Sequence, residues 1–223
     1  MDIAPILVTG FEPYGGRSVN PALDIMRALD GRTIAGATVI GRGLPVSYTS
    51  LPARIETVLD ELAPSAIISL GLSPGEPLIS IERLALNIAD FNIADNDGTL
   101  VVDGKVHAEG SAARFASLPI REIESDLLAA GIPARLSISA GTFLCNACLY
   151  TFLDALERRS RNIPCGFIHV PSTPELVAAA LAEIRSRQKV EQRNALASME
   201  LSRMVRAVET AITTTLRVLF SKD

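Results

Sequence analysis

The chain has 223 residues and a formal net charge of -4, with 48% hydrophobic and 21% charged residues. This length suffices for one sizeable core, and without a linker or repeat we expect a single domain over residues 1–223. The chain is mildly acidic and has no basic run, so it lacks the positive charge that is usual in proteins that bind nucleic acids. No run approaches the ~20 apolar residues of a membrane span, and no secretory signal is visible. We therefore expect a cytoplasmic protein without a membrane partner.

Short apolar segments alternate along the chain with segments of helical periodicity. Strands are predicted at 5–9, 37–41, 66–70, 135–139 and 165–170, and extended chain at 78–89. Asn20 is the predicted cap of the first helix, which Pro21 begins and Gly31 ends. Further helices are predicted at 51–62, 120–130 and 144–158, with two more starting near Pro174 and Ser198. This alternation predicts a three-layer α/β/α sandwich with a mostly parallel, twisted central sheet.

The segment 90–110 interrupts this pattern, because it is polar and rich in Asp, Asn and Gly. We expect it to be an excursion from the core, and loops of this length are usually functional or mobile.

Cys145 lies where a predicted strand turns into a helix. Active sites of parallel α/β sheets gather at the carboxyl ends of strands. The helix start offers free backbone N–H groups and the positive end of the dipole, which favour a thiolate and could hold an oxyanion. Most free cysteines are simply buried small apolar residues, and position alone does not exclude that interpretation. Three cysteines cannot all pair, so free thiols in a reducing compartment are expected.

A thiolate nucleophile usually needs a base, and the chain has only two histidines. His169 lies near the carboxyl end of a buried strand, where it is either a general base or a hydrogen-bonded core residue. His107 lies in the polar excursion and is expected to be a solvated loop residue. A carboxylate could orient the imidazole, but spacing alone does not choose Glu82 over Asp90 or Asp95. A structural ion pair with Arg83 or another cation would be the alternative for Glu82.

Four stretches of the sequence resemble the pyroglutamyl peptidases, cysteine peptidases that remove N-terminal pyroglutamate from peptides. They are VTGFEPYGG at 8–16 with Asn20-Pro21 behind it, IERLALN at 81–87 running on to Asp95-Asn96-Asp97-Gly98, SAGTFLCN at 139–146 and GFIHVP at 166–171. They occur in the family's order and span most of the chain.

The resemblance implies a Cys-His-Glu triad of Cys145, His169 and Glu82, acting through a thioester on a peptide with N-terminal pyroglutamate. The implied apolar pocket for the lactam ring is formed by Phe11, Tyr14, Ile93, Phe143 and Leu144. The family fold is an open α/β/α sandwich, without a cofactor or metal, and its members often form dimers or tetramers. A homodimer or homotetramer is therefore expected here.

Several positions depart from the family pattern. Asn92 stands where the family usually has an Arg near the active site, and its lack of charge could cost on the order of 2–3 kcal/mol of transition-state stabilisation. Leu72 stands where the family often has a Gln, and Tyr14 where it commonly has Phe. Because both Leu72 and Asn92 belong to the implied binding region, two alternatives stay open. The chain could act on another small N-acyl or lactam group, or bind a small ligand without efficient turnover.

Cys145 and Cys148 form a C-x-x-C pair, which is also typical of redox dithiols and of half a metal site. A second ligand pair is missing, and Cys148 could merely pack inside the helix. The glycine-containing loop after the first strand has no lysine in P-loop spacing, so the signal for phosphate binding is weak.

Overall fold

A seven-stranded sheet runs through the centre of the computed structural model, which describes residues 3–186 and 196–221. Its strands are β1 (Ile6–Phe11), β2 (Thr33–Ile34), β3 (Ala37–Leu44), β4 (Ala66–Leu72), β5 (Ile79–Glu82), β8 (Ala134–Ser137) and β9 (Cys165–Val170). Their order is β2-β3-β1-β4-β9-β5-β8. Within this sheet only the β2–β3 and β5–β9 pairs are antiparallel. A separate ribbon pairs β6 (Leu84–Leu86) with β7 (Ala113–Phe115).

Helices cover both faces of the sheet. They are α1 (Pro21–Leu29), α2 (Leu51–Glu61), α3 (Ile120–Ala129), α4 (Leu144–Arg158), α5 (Pro174–Ser186) and α6 (Leu201–Phe220). The apolar sides of α1, α3 and α6 pack on one face of the sheet, and those of α2 and α4 pack on the other. The predicted three-layer sandwich with a mostly parallel sheet is therefore confirmed. No helix in the described ranges is long and apolar enough to span a membrane.

The predicted elements agree with the structure except at a few boundaries. The strand predicted at 66–70 runs on through Gly71 to Leu72, so this glycine lies within β4 instead of ending it. The extended segment predicted at 78–89 breaks at Arg83, whose backbone bonds to Ser137 and Ala116 and divides β5 from β6. The last helix starts at Leu201, not near Ser198, because Ser198 forms a β-bridge with Ser172.

The strand register gathers the loops that form the site. Strands β1, β4 and β9 are parallel neighbours, so their carboxyl ends meet at one edge of the sheet. Gly71 of β4 pairs with His169 of β9, and His169 also pairs with Ser80 of β5. Because side chains alternate between faces, Gly71, Phe167, His169 and Glu82 share one face. Phe167 belongs to the apolar cluster beneath α4, so this is the face on which α4 packs.

Candidate active site

Cys145 is the second residue of α4 and is partly exposed. Gly141 makes the turn from β8 into this helix with a positive φ of 78°, a conformation that glycine adopts without strain. Phe143 occupies the cap position, and no side chain in the described residues caps the first N–H groups. These N–H groups are left to bind a negative charge close to the sulfur.

His169 lies on the sheet face beneath the start of α4 and is 9% exposed. Its Nδ1 atom is 2.8 Å from Oε1 of Glu82, which is 1% exposed. The carboxylate thus pairs with the imidazole and not with the neighbouring Arg83. The other carboxylate oxygen, Oε2, is buried and has no hydrogen-bond partner within the described ranges. The pairing leaves the second ring nitrogen of His169 for Cys145.

The electrostatics of His169 favour its charged form. Burial alone would lower its pKa, but the negative charge of Cys145 and a hydrogen bond to it, together with Glu82, outweigh this and raise the pKa to about 10. A carboxylate on one side of the ring and a thiolate on the other therefore stabilise an imidazolium. The arrangement suits an ion pair between a sulfur anion and a protonated histidine.

The two remaining thiols differ from Cys145 in their surroundings. Cys148 is one helical turn further into α4, and Cys165 begins β9, and both are free and fully buried. Burial raises the pKa of both thiols, which keeps them protonated and unreactive. Cys148 therefore packs as a small core residue, and this disfavours the redox interpretation of the C-x-x-C pair. No cluster of three His, Cys, Asp or Glu residues suited to a metal occurs among the residues described.

A small apolar cavity opens beside Cys145, and we call it the slot. Its lining consists of Phe11, Tyr14, Asn20, Val46, Leu72, Phe143, Leu144 and Cys145. The structure thus brings together five of the seven residues predicted to bind substrate. Burial and the charge of Cys145 raise the pKa of Tyr14, so its hydroxyl stays protonated, although the positive charge of Arg17 opposes that rise.

Asn92 and Ile93 are both exposed, and neither is among the residues that line the slot. Ile93 approaches the loop after β1, since a β-carbon at Gly15 would lie 3.9 Å from its Cδ1 atom. The neighbouring Phe91 is buried and packs edge-on against Phe143, with ring centroids 4.7 Å apart. The segment that carries Asn92 and Ile93 thus adjoins the slot, and the binding roles of these two residues stay predictions.

The excursion at 90–110 is held by many hydrogen bonds. The Asp95 carboxylate accepts hydrogen bonds from the N–H groups of Tyr48, Asp97 and Thr99. It therefore stabilises the conformation of this loop. The Asn96 side chain donates to the Glu12 carboxylate and to the Pro13 carbonyl. The excursion is thereby fixed to the loop that carries Tyr14.

The other candidate residues from the sequence lie elsewhere. The Asp90 carboxylate accepts a long 3.5 Å hydrogen bond from the Asp103 N–H. The His107 side chain is half exposed, and its Nδ1 atom lies 3.9 Å from the Asp154 carboxylate on α4. Among the three carboxylates left open by the sequence, Glu82 is the one that pairs with His169.

Three residues lie near the site although the sequence did not predict a role for them there. Asn146 is fully buried, and its side chain accepts from the Leu86 N–H and donates to the Leu86 and Ile88 carbonyls. Asn20 and Val46 line the slot, although Asn20 was predicted only as a helix cap. Asn20 does cap α1, because its Oδ1 atom accepts a 3.1 Å hydrogen bond from the Ala22 N–H. An asparagine directly after Cys145, inside an apolar helix, was a signal that could have drawn attention to Asn146.

Comparison with known proteins gives a consistent result. A family model described as pyroglutamyl peptidase matches residues 4–218. A pyrrolidone-carboxylate peptidase of Cupriavidus pinatubonensis is 40% identical over 212 residues, which cover 95% of this chain and 92% of that protein. One from Bacillus cereus is 38% identical over 215 residues, covering 96% and 94%.

Solved structures agree with the sequence matches. The pyrrolidone carboxyl peptidase of Thermococcus litoralis has a TM-score of 0.89 at 36% identity, covering 99% of this chain and 97% of that one. A mutant pyrrolidone carboxyl peptidase from Pyrococcus furiosus has a TM-score of 0.90 at 38% identity, covering 96% and 99%. The chain belongs to the pyroglutamyl peptidase family of cysteine peptidases.

Proposed function

We propose that this protein hydrolyses the amide bond between an N-terminal pyroglutamate and the next residue of a peptide. The observation that carries the proposal is the arrangement at the slot: the Cys145 sulfur lies against Gly71, the strand neighbour of His169, and His169 is paired through Nδ1 with Glu82 at 2.8 Å. An acyl group in the slot would present its carbonyl carbon to the sulfur. Curated relatives named pyrrolidone-carboxylate peptidases support this choice of substrate.

Acylation begins with the thiolate of Cys145. Its sulfur forms a bond to the pyroglutamyl carbonyl carbon, and the carbonyl π electrons move to the oxygen. The first N–H groups of α4, which no described side chain caps, bind the resulting oxyanion. The oxyanion then collapses to the thioester carbonyl and the C–N bond breaks, while His169 donates its proton to the leaving nitrogen, so the amine leaves uncharged and His169 becomes neutral. Glu82 keeps the ring oriented throughout.

Deacylation reverses the roles. Neutral His169 takes a proton from water, whose oxygen attacks the thioester carbonyl, and the C–S bond breaks to restore the thiolate and imidazolium. The products are free pyroglutamate and the shortened peptide. No external oxidant, reductant or metal enters this balance.

The composition of the slot supports selection of an uncharged ring. Phe11, Phe143 and Leu72 present apolar surface, which a small lactam can cover at little cost in solvation. A glutamate in the same place would lose the hydration of its carboxylate without gaining a cation from the lining. Tyr14 keeps one hydroxyl in the lining, which is available to hydrogen-bond a polar atom of the ring.

Release of a fluorescent amine from a pyroglutamyl amide tests the proposal. We expect turnover that iodoacetamide blocks and that is absent in Cys145→Ala, while Cys165→Ala, which removes a buried thiol at the far end of β9, keeps it. The glutamyl and prolyl amides of the same amine should be poor substrates. Turnover that persists in Cys145→Ala would refute the mechanism.

A second candidate rests on Leu72, which lines the slot at a position where the family often has Gln. The slot could then prefer another small N-acyl or lactam group. Rapid alkylation of Cys145 without turnover of any pyroglutamyl amide would favour this candidate, or a binding protein without turnover. Self-association into dimers or tetramers stays a prediction, which light scattering in solution can test.

A further inference from the structure

A second, larger cavity of about 350 Å³ adjoins the slot, and we call it the outer cleft. It lies between the loop after β1, the loop after β4, the segment after β9 and the helix α5. Its lining includes Arg17, Pro74, Ser172, Leu176, Val177 and Glu183. It contains both apolar surface and charge, which is typical of a surface that binds a peptide chain.

The outer cleft begins where the slot ends. Three of its walls continue directly from residues of the slot or the catalytic group: Gly15 follows Tyr14, Pro74 follows Leu72 by two residues, and Ser172 follows His169 by three. A substrate whose first residue fills the slot holds its scissile carbonyl at Cys145. The rest of the peptide must then leave towards solvent. The outer cleft provides a path for that chain along the carboxyl edge of the sheet.

Arg17 stands at the boundary between the two cavities. Its guanidinium carbon lies 5.3 Å from the centroid of the Tyr14 ring, and Tyr14 itself lines the slot. Within the described part of the chain Arg17 forms no ion pair with a carboxylate, so its charge is available to a ligand. Glu183 also lines the cleft, but it belongs to α5 and not to the loop that touches the slot.

We propose that the outer cleft binds the residues that follow pyroglutamate, and that Arg17 selects a carboxylate there. This inference rests on the proposed function. The preferred substrates are peptides with Asp or Glu directly after pyroglutamate, and pyroglutamyl dipeptides with a free carboxyl terminus. A planar guanidinium can donate two parallel hydrogen bonds to such a carboxylate.

Two substrate pairs that differ in a single charge test the inference. They are pyroglutamyl-alanine against pyroglutamyl-alaninamide, and pyroglutamyl-aspartyl amide against pyroglutamyl-asparaginyl amide. We expect kcat/KM to be about three- to fivefold higher for the charged member of each pair at low salt, because exposed ion pairs contribute about that much. The preference should shrink in 0.5 M NaCl as the charges are screened.

Variants assign the preference to Arg17. The ratio should fall to one in Arg17→Gln, be partly kept in Arg17→Lys and invert in Arg17→Glu. Arg121→Gln removes an exposed charge from α3 and should keep the ratio of the unaltered protein. Each ratio is measured within one variant, so a general loss of activity cancels.

The outcomes separate this inference from the function on which it rests. Equal rates for the members of both pairs, or an unchanged ratio in Arg17→Gln, would overturn the role of Arg17 and leave pyroglutamyl hydrolysis intact. Failure to cleave all four compounds and the fluorogenic amide would remove the proposed function, and the role of Arg17 with it.

Discussion

Gly71 lies directly against the sulfur of Cys145. A β-carbon built at Gly71 would lie 2.8 Å from Sγ and 2.7 Å from Cζ of Phe167, both closer than real carbon contacts allow. The strand register explains the proximity, because Gly71 pairs with His169 on the face that α4 covers. The absence of a side chain at this point of β4 lets the Cys145 sulfur lie next to the strand position that pairs with His169.

Gly71→Ala should therefore damage the site as well as the fold. Overpacking of this kind costs about 1–3 kcal/mol of the free energy of unfolding. Displacement of the sulfur by about 1 Å should lower kcat by on the order of a hundredfold. Chemical denaturation and kcat on a pyroglutamyl amide measure the two effects.

Gly43→Ala is the matched control, because it also adds one methyl group to a glycine in the sheet. A β-carbon there would lie 3.7 Å from Leu23 Cδ1, an ordinary contact. We expect stability within about 0.5 kcal/mol of the unaltered protein and normal kcat. Similar losses in both variants would mean that space next to Cys145 is not the cause.

The pH dependence of kcat/KM should report the His169 imidazolium. Because its pKa is raised to about 10, the ring is protonated through the neutral range and loses its proton only near pH 10. Loss of that proton removes both the counter-charge of the thiolate and the acid for the leaving amine. Activity should therefore fall as the pH rises through about 10. The pH dependence of kcat/KM measures this step, because kcat/KM reports the pKa values of the free enzyme.

Glu82→Gln should move this alkaline limb to lower pH. The substitution removes a buried negative charge that, with its hydrogen bond, helps to raise the pKa of His169. We also expect kcat at pH 7 to fall by on the order of a hundredfold, since the ring loses its charged orienting partner. Glu56→Gln removes a carboxylate that pairs with Arg158 and Arg159 instead, and its profile should not change. An unmoved limb in Glu82→Gln would argue against the role of this carboxylate.

Asn146 connects the helix that carries Cys145 to the chain that follows Glu82. Its side chain makes three hydrogen bonds of 2.8 to 2.9 Å to the backbone of residues 86 and 88, with no exposure to solvent. Asn146→Ala should cost at least about 1–3 kcal/mol of the free energy of unfolding, because buried backbone groups lose their partner. It should also lower kcat more than it raises KM, since it loosens the catalytic group and leaves the slot lining in place.

Asn162→Ala serves for comparison, since Asn162 is exposed between α4 and β9. A change within about 0.5 kcal/mol is expected there. If Asn146→Ala changed the free energy of unfolding as little as Asn162→Ala, water would be replacing the three hydrogen bonds. The link between α4 and residues 86–88 would then contribute nothing to stability.

The order of elements was largely predictable from the sequence, and so were the residues that gather around His169. Apolar periodicity and an asparagine-proline start are local signals, so they located α1, α4 and β9. Cys145 and His169 could be chosen because each lies at the end of such an element. The family motifs then singled out Glu82, which spacing alone did not.

Other parts of the site depend on register between distant segments, which periodicity does not encode. Val46 reaches the slot from the chain after β3, and nothing near it in sequence distinguishes it from a core residue. The contact of Gly71 with Cys145 requires knowing that β4 lies beside β9. The break at Arg83 was missed because its backbone bonds to Ser137 and Ala116, residues from other parts of the chain.

Asn92 offers a test of how far this chain has diverged from its family. The family resemblance implies an arginine at this position, and Asn92 is exposed on a segment that adjoins the slot through Phe91 and Phe143. A cation there would add to the stabilisation that the N–H groups of α4 give to the oxyanion. We expect Asn92→Arg to raise kcat on a pyroglutamyl amide by on the order of tenfold, with little change in KM.

Asn92→Gln separates charge from size, because it lengthens the side chain while leaving it neutral. It should not reproduce the gain, and high salt should reduce the gain of Asn92→Arg because the position is open to solvent. If Asn92→Arg has the same kcat as the unaltered protein, the side chain at 92 does not face the reacting carbonyl. The oxyanion would then depend on the start of α4 alone, and substitutions that disturb that turn, such as Gly141→Ala with its positive φ, would have the larger effect on kcat.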